Sequence, residues 1–182
     1  MPRYIAFLRA INVGGHTVKM EKLRELFESL EFKDVETFIA SGNVIFTSNA
    51  KAATALKKKI EACLHKALGY EVITFLRTDS EVAAIVQYKA FKDSQLKSAR
   101  AYNVAFLSDA MDEKTKKILM GLKTEIDDFH VHGREFYWLC KTGQSDSTFS
   151  NQVFEKSVKR RSTFRGMKTI AKLSAKYPPS GV

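Results

Sequence analysis

Apolar and polar positions alternate along this chain in patterns that predict short strands and amphipathic helices. Runs rich in β-branched and aromatic residues predict four strands in the first part of the chain, at residues 4–9, 35–40, 44–48 and 71–77. Apolar residues at helical spacing predict two helices between these strands, over residues 19–30 and 52–68. The order of elements is therefore βαββαβ, which is the order of the ferredoxin-like unit.

A second copy of this pattern follows later in the chain. Its predicted elements are a strand, a helix and two further strands, at residues 102–108, 112–122, 126–131 and 135–141. Ala6 of the first copy matches Ala105, 99 positions on, whereas Leu30 matches Leu122, 92 positions on. The first copy therefore has seven additional residues, Ala10–His16, between its first strand and its first helix. This additional loop on a duplicated scaffold is where the sequence predicts a functional site.

The repeat predicts an α+β protein made of two ferredoxin-like halves that arose by internal duplication and pack intimately together. The expected divisions are a first half, a bridging helix with its connector, a second half and a basic C-terminal segment, at residues 1–78, 79–100, 101–158 and 159–182. Helices are expected from about 149 to 158 and from about 166 to 176, and the latter is amphipathic.

Strand topology is expected to bring two loops of the first copy together. In a βαββαβ unit the third strand lies antiparallel beside the first, so the end of the first strand meets the turn before the third. We expect polar residues and glycines of both loops to form one ligand site, namely Arg9, Asn12, Gly14, Gly15, Ser41 and Asn43. Exposed N–H groups of such loops suit an anion. The alternative is that the polar side chains only satisfy backbone groups within a tight pair of turns.

The positive charge of the chain is concentrated near its C-terminal end. The formal net charge is +10, and residues 156–176 hold eight basic residues and no acidic residue. On the predicted C-terminal helix, one outward face is expected to hold Arg165, Lys168, Lys172 and Lys176. The first three of these are expected to supply charge to a polyanion. The alternative is an ordinary solvated helix face.

Two sequence motifs carry a resemblance to a known family. The stretches AFLRAINVGG (6–15) and IASGNVIF (39–46) resemble the LRGINVGG and SGNVVF motifs of DUF1697, a bacterial family of hypothetical proteins. Members end in a TxRNWNTVxKL-like segment, whose pattern this chain follows at Thr163, Arg165, Thr169, Lys172 and Leu173. The chain departs from the family pattern at Ala10, Gly166, Met167 and Lys168. The resemblance implies a compact α+β fold and no established activity.

Several classes of protein are not expected from this sequence. No stretch approaches the ~20 apolar residues of a membrane span, and the N-terminal residues lead directly into a strand pattern without a signal peptide, so a cytoplasmic protein without a membrane partner is expected. Cys63 and Cys140 are single cysteines rather than a disulfide framework. His130 and His132 alternate on a strand, with Cys140 expected nearby, but no further ligand joins them, so neither metal nor cofactor is expected.

These observations lead to three functional hypotheses. The first is non-enzymatic binding of a phosphate-bearing or polyanionic ligand, either a nucleic acid or a phosphorylated small molecule. In it, the basic helix supplies charge and the two loops supply oriented N–H donors. The second is an enzyme that acts on a small anionic substrate at the same loops, with His16 or Ser41 as the reactive group. The third is a scaffold for protein interactions.

Overall fold

Eight strands and seven α-helices follow one another along the part of the chain, residues 1–39 and 42–180, that the computed structural model describes. They form two compact units. The first unit contains Met1–Ala83 together with the residues from Leu173 onward, and the second contains Ala84–Lys172. Each unit has a four-stranded antiparallel sheet and helices, which confirms the prediction of an α+β fold in two halves. The ferredoxin-like type of each half stays a prediction. The intimate packing of the halves and the boundaries at residues 78, 100 and 158 also stay predictions.

The first unit contains strands β1 (Arg3–Leu8), β2 (Lys33–Thr37), β3 (Asn43–Thr47) and β4 (Thr74–Thr78). Its helices are α1 (Met20–Glu28), α2 (Ala53–Leu68) and the first turn of α3 (Asp79–Gln87). The strand order is β2-β3-β1-β4, and all neighbouring strands are antiparallel. Alternate residues of the central strands, such as Ala6 and Leu8, pack with apolar residues of α1 and α2 to form the core.

The second unit contains strands β5 (Ala101–Phe106), β6 (Asp127–His132), β7 (Glu135–Cys140) and β8 (Thr163–Gly166). Its helices are the end of α3, α4 (Asp93–Ser98), α5 (Glu113–Met120), α6 (Asn151–Val158), a short 3-10 helix (Gln144–Asp146) and the first part of α7 (Met167–Lys176). The strand order β6-β7-β5-β8 repeats that of the first unit, so β5 occupies the same central place as β1. Its core is mainly aromatic and consists of residues such as Phe129, Phe136, Trp138, Phe149 and Phe154.

The eighth strand corrects one prediction about the basic C-terminal segment. A helix was expected there with Arg165 on its outward face, and helix α7 (Met167–Lys176) is present. However, Arg165 belongs to β8 and lies opposite Val104 of β5, with 8% of its surface exposed. A strand of only four residues is too short to show a clear alternation in sequence. The pattern therefore places Arg165 on the helix that follows.

The C-terminal residues of the first unit lie against β2. The Tyr177 hydroxyl donates a hydrogen bond of 2.6 Å to the Glu36 carboxylate, and the Lys176 ammonium lies 3.1 Å from the same oxygen. The hydrogen bond from Tyr177, and to a smaller extent the one from Lys176, holds the pKa of Glu36 below its usual range. The Tyr177 ring also meets the Phe38 ring edge to face. Residues 176–180 are called the C-terminal latch below.

The end of the latch is held at the start of α3. The backbone N–H and the hydroxyl of Ser180 both donate to the Asp79 carboxylate, at 2.8 and 2.7 Å. Arg3, at the start of β1, donates to the Pro178 carbonyl at 3.0 Å. The latch therefore joins the last described residues to the first strand of the sheet.

Candidate functional site

The loop after β1 and the turn between β2 and β3 meet in the first unit. Phe7 lies opposite Asn43 in the antiparallel pair, and the Leu8 N–H donates to the Gly42 carbonyl at 2.8 Å. This is the adjacency that the strand order predicts. Ser41, the other predicted residue of this turn, lies outside the described residues. Residues 9–19 are called the glycine loop below.

Gly42 is the point of closest approach between the turn and the glycine loop. Its φ is +80°, and a Cβ added there would lie 3.1 Å from the Ile11 Cβ and 3.2 Å from the Leu8 Cβ. Both the backbone conformation and the limited space favour glycine at this position. The turn therefore supports the glycine loop directly.

The backbone of the glycine loop alternates in handedness. The φ angle is positive at Ala10 (64°), Asn12 (57°) and Gly14 (63°), and is not positive at the two residues between them. Gly15 follows with a φ of +85°. Residues with positive φ beside residues with negative φ are also found in the concave anion-binding turns known as nests.

Three consecutive N–H groups of this loop are available to a ligand. Among the described residues, the N–H groups of Val13, Gly14 and Gly15 donate to no protein acceptor, and all three residues are exposed. Apart from the adjacent residues, no described heavy atom would lie within 4 Å of a Cβ added at Gly14 or Gly15. The loop thus presents a short row of unshielded donors.

Two asparagines shape the loop and the turn through bonds to backbone groups. The Asn12 side-chain oxygen accepts a 2.7 Å hydrogen bond from the Val18 N–H. The Asn43 side chain donates to the Phe38 carbonyl at 2.9 Å and is completely buried. The Asn43 side chain is therefore turned into the protein, and its role in ligand binding stays a prediction. For both residues the structure shows the alternative, satisfaction of backbone groups.

An imidazole follows directly after the exposed amides. The His16 ring stacks on the Tyr70 ring, with 3.9 Å between the ring centres and 28° between the planes. His16 is exposed, while the Tyr70 hydroxyl is buried and burial raises its pKa. Tyr70 comes directly after Gly69, which ends α2 in the left-handed conformation. No local motif in the sequence could have indicated this contact, because the two rings belong to distant segments.

The charge around the glycine loop favours an anion. Between Arg9 and Lys19 there is no acidic residue. Arg9 is half-buried, and Lys19 is exposed at the start of α1, where no side chain caps the first N–H groups. Uncapped N–H groups at a helix start add a partial positive charge. The surrounding charge therefore favours a bound anion, as the row of exposed amides does.

The predicted basic residues belong to the second unit. Lys168 and Lys172 lie four residues apart on α7, are exposed and form no ion pair with any described residue. Arg165 instead donates to the Thr163 hydroxyl at 2.7 Å and to the Phe164 carbonyl at 2.9 Å. Burial lowers the pKa of Arg165 to about 10. Only the two lysines remain as exposed cations of the predicted set.

A second polar cluster, in the second unit, was missed from the sequence. The Tyr88 hydroxyl lies 2.7 Å from His130 Nε2, and the Tyr88 ring stacks on His132 with 3.9 Å between the ring centres. Burial lowers the pKa of His130. Cys140 lies opposite Asp127 and not near the histidines, so the expected proximity is wrong. Across residues 1–39 and 42–180, no three His, Cys, Asp or Glu side chains are arranged to hold a metal ion.

The comparisons with known proteins concern the family and the fold. The model of a family described as "Protein of unknown function (DUF1697)" matches residues 1–137. The chain is similar to the solved structure of the conserved bacterial protein SP0830 from Streptococcus pneumoniae, with a TM-score of 0.72 and 22% identity over 96% of this chain and 97% of that chain. At this identity the likeness shows a shared fold. No curated protein matches the chain. None of the described helices has the length and apolar character needed to cross a membrane.

Proposed function

The chain belongs to the DUF1697 family of proteins of unknown function, and we propose that its glycine loop binds a phosphate-bearing ligand. The observation that carries this proposal is the row of three exposed amides, at Val13, Gly14 and Gly15, that have no protein acceptor among the described residues. Phosphate oxygens are strong acceptors, and donors fixed in place by the backbone lose little entropy when they bind.

The expected affinity of such a site is modest. A hydrogen bond to a charged group contributes about 1.5–3 kcal/mol before the costs of association, so three amides together offset those costs only in part. A net binding free energy of about 4–6 kcal/mol corresponds to a Kd between about 1 mM and 0.05 mM. A larger ligand would need further contacts.

The proposed site predicts which backbone signals respond to phosphate. Titration of ¹⁵N-labelled protein with inorganic phosphate should shift the amide resonances of Val13, Gly14 and Gly15, with saturation near millimolar concentration. The matched control is Gly69, an exposed glycine with a φ of +80° whose N–H already donates to the His65 carbonyl. Uniform small shifts, with no saturation at residues 13–15, would reject the site.

Separately, we propose that Lys168 and Lys172 of the second unit contact a polyanion such as single-stranded nucleic acid. Both side chains are exposed and, among the described residues, free of acidic partners. Arg165 is not part of this contact, because it is buried in β8. Lys176 is not part of it either, since it pairs with Glu36.

This contact predicts a defined change in salt dependence. Lys168→Glu together with Lys172→Glu should reduce the slope of log K against log salt for single-stranded RNA by about 1.4, because each phosphate contact contributes about 0.7. Lys58→Glu with Lys66→Glu, on exposed positions of α2, makes the same change in net charge and is the control. Equal slopes for the two double variants, measured by fluorescence anisotropy, would remove the lysine pair from the proposal.

His16 is the exposed side chain on which an enzymatic alternative would depend. An enzyme that acts on a small anionic substrate at the loop would lose turnover sharply in His16→Gln, whereas a protein that only binds its ligand would change only in affinity.

We propose that the protein functions in the cytoplasm. Cys63 and Cys140 are both free thiols, as is usual in a reducing compartment.

A further inference from the structure

We infer that the ligand of the glycine loop is a nucleotide, with its phosphate on the exposed amides and its base stacked on the His16 ring. This inference rests on the proposed phosphate site and names the class of ligand that the site takes. It comes from the position of one imidazole, which follows directly after the last exposed amide. Nucleobases stack on aromatic side chains and imidazoles, so a planar ring beside a phosphate site suits a nucleotide.

The His16 ring is held in a defined orientation. It lies on the Tyr70 ring at 3.9 Å, so one face of the imidazole is covered by a residue that itself packs against the core of the first unit. The residue is nevertheless exposed, so part of the imidazole is accessible to a ligand. A ring already supported on one side loses little freedom when a base stacks on the other.

The exposed amides and the imidazole are neighbours in the chain. Gly15, the last of the exposed amides, is the residue immediately before His16, and successive Cα atoms are about 3.8 Å apart. In a nucleoside monophosphate the phosphate and the base are likewise close together, because a single ribose joins them.

Apolar side chains at the same loops also fit a nucleotide better than inorganic phosphate. Val13, in the glycine loop, is 60% exposed, and Ile39, just before the turn that carries Gly42, is 51% exposed. Ile39 also has a φ of +59°, which is unusual for a β-branched residue. Exposed aliphatic groups next to anion donors give a surface for the apolar parts of a base or a sugar.

The experiment compares AMP, adenosine and inorganic phosphate on the full chain by isothermal titration calorimetry, with the ring protons of AMP followed by NMR. AMP should bind about 5- to 150-fold more tightly than phosphate, which is the gain expected from stacking of one base. The adenine protons should move upfield, as expected when a base lies over a ring. Adenosine alone should bind more weakly than AMP.

Two variants of His16 test the stacking partner. In His16→Ala, the ratio of AMP affinity to phosphate affinity should fall below about twofold, whereas His16→Phe, which keeps a planar ring, should retain most of the ratio. Urea unfolding of both variants checks that they remain folded. A retained ratio in His16→Ala would overturn the assignment of His16.

The outcomes separate the two levels of the proposal. If the wild-type protein binds phosphate at residues 13–15 but has no preference for AMP, the nucleotide inference is wrong and the phosphate site stands. If neither AMP nor phosphate binds, the phosphate site itself is wrong. Preference for AMP, with loss in His16→Ala and retention in His16→Phe, supports both.

Discussion

Replacing Gly42 with alanine should lower the free energy of unfolding by about 3 kcal/mol, since the left-handed conformation costs an L-residue ~1–2 kcal/mol and overpacking adds ~1–3 kcal/mol. The φ of Gly42 is +80°, and a Cβ there would lie 3.1 Å from the Ile11 Cβ and 3.3 Å from the Leu8 carbonyl oxygen. Neither neighbour can move easily, because Leu8 belongs to the central strand β1 and Ile11 is buried.

Gly69→Ala is the matched control for this prediction. Gly69 has the same φ of +80° but no atom lies within 4 Å of its Cβ position. Its replacement should cost only the conformational part, about 1 kcal/mol. Urea unfolding followed by circular dichroism measures both variants, with the m-value expected to stay constant. Equal losses at the two positions would mean that the contact between the turn and the glycine loop is not tight.

Replacing Asp127 with alanine should destabilise the second unit by about 3 kcal/mol, because the buried Trp138 indole would lose its acceptor at ~1–3 kcal/mol and two part-buried hydroxyl bonds would be lost at ~0.5–1.5 kcal/mol each. The Asp127 carboxylate accepts hydrogen bonds from the Trp138 indole at 2.7 Å, from the Thr124 hydroxyl at 2.8 Å and from the Ser147 hydroxyl. Burial raises the pKa of Asp127, but the bonds from these three side chains outweigh it and hold the pKa below its usual range.

The sign of the pH dependence follows from this lowered pKa. The ionised carboxylate stabilises the folded unit above pH 3.8, the ordinary value for aspartate, and this contribution is lost as the pH falls through the pKa of the folded state. The difference between wild type and Asp127→Ala should therefore be largest near neutral pH and should shrink in acid. Trp138 is the one tryptophan of the sequence, so its fluorescence reports on the second unit.

Asp112→Ala is the control for the loss of Asp127. Asp112 is exposed at the start of α5, and its carboxylate accepts a hydrogen bond from the Thr115 N–H. Loss of this helix cap should cost less than loss of Asp127, because the Asp112 carboxylate is exposed to solvent. If Asp127→Ala were no more harmful than Asp112→Ala, the buried hydrogen-bond cluster would not contribute to stability as described.

Much of the fold could be predicted from the alternation of apolar residues. The helix predicted over 52–68 is observed as α2 (Ala53–Leu68), because its apolar face repeats over several turns before Gly69 ends it. The repeat can be seen in the sequence because β1 and β5 occupy the same central place in their sheets, and both strands are rich in apolar residues. Strand β8 was missed, since its identity depends on pairing with β5 and not on its own four residues.

The candidate site was predictable only where topology determines it. The meeting of Leu8 and Gly42 follows from the order of strands in the sheet, and the structure confirms it. The burial of Asn43 could not be predicted, because an asparagine in a turn has the same local sequence whether its side chain points inward or outward. The stack of His16 on Tyr70 depends on how α2 ends relative to the glycine loop. Such contacts between distant segments leave no periodic signal in the sequence.

The C-terminal latch has a consequence for the synthesis of this protein on the ribosome. The first unit consists of residues from both ends of the described chain, with Ala84–Lys172 inserted between them. Tyr177 and Ser180, which bond to Glu36 and Asp79, are therefore translated after the whole second unit. While the second unit is being translated, the first unit lacks the hydrogen bonds from Tyr177 and Ser180. Completion of the first unit therefore follows translation of the whole second unit, although the first unit begins earlier in the chain.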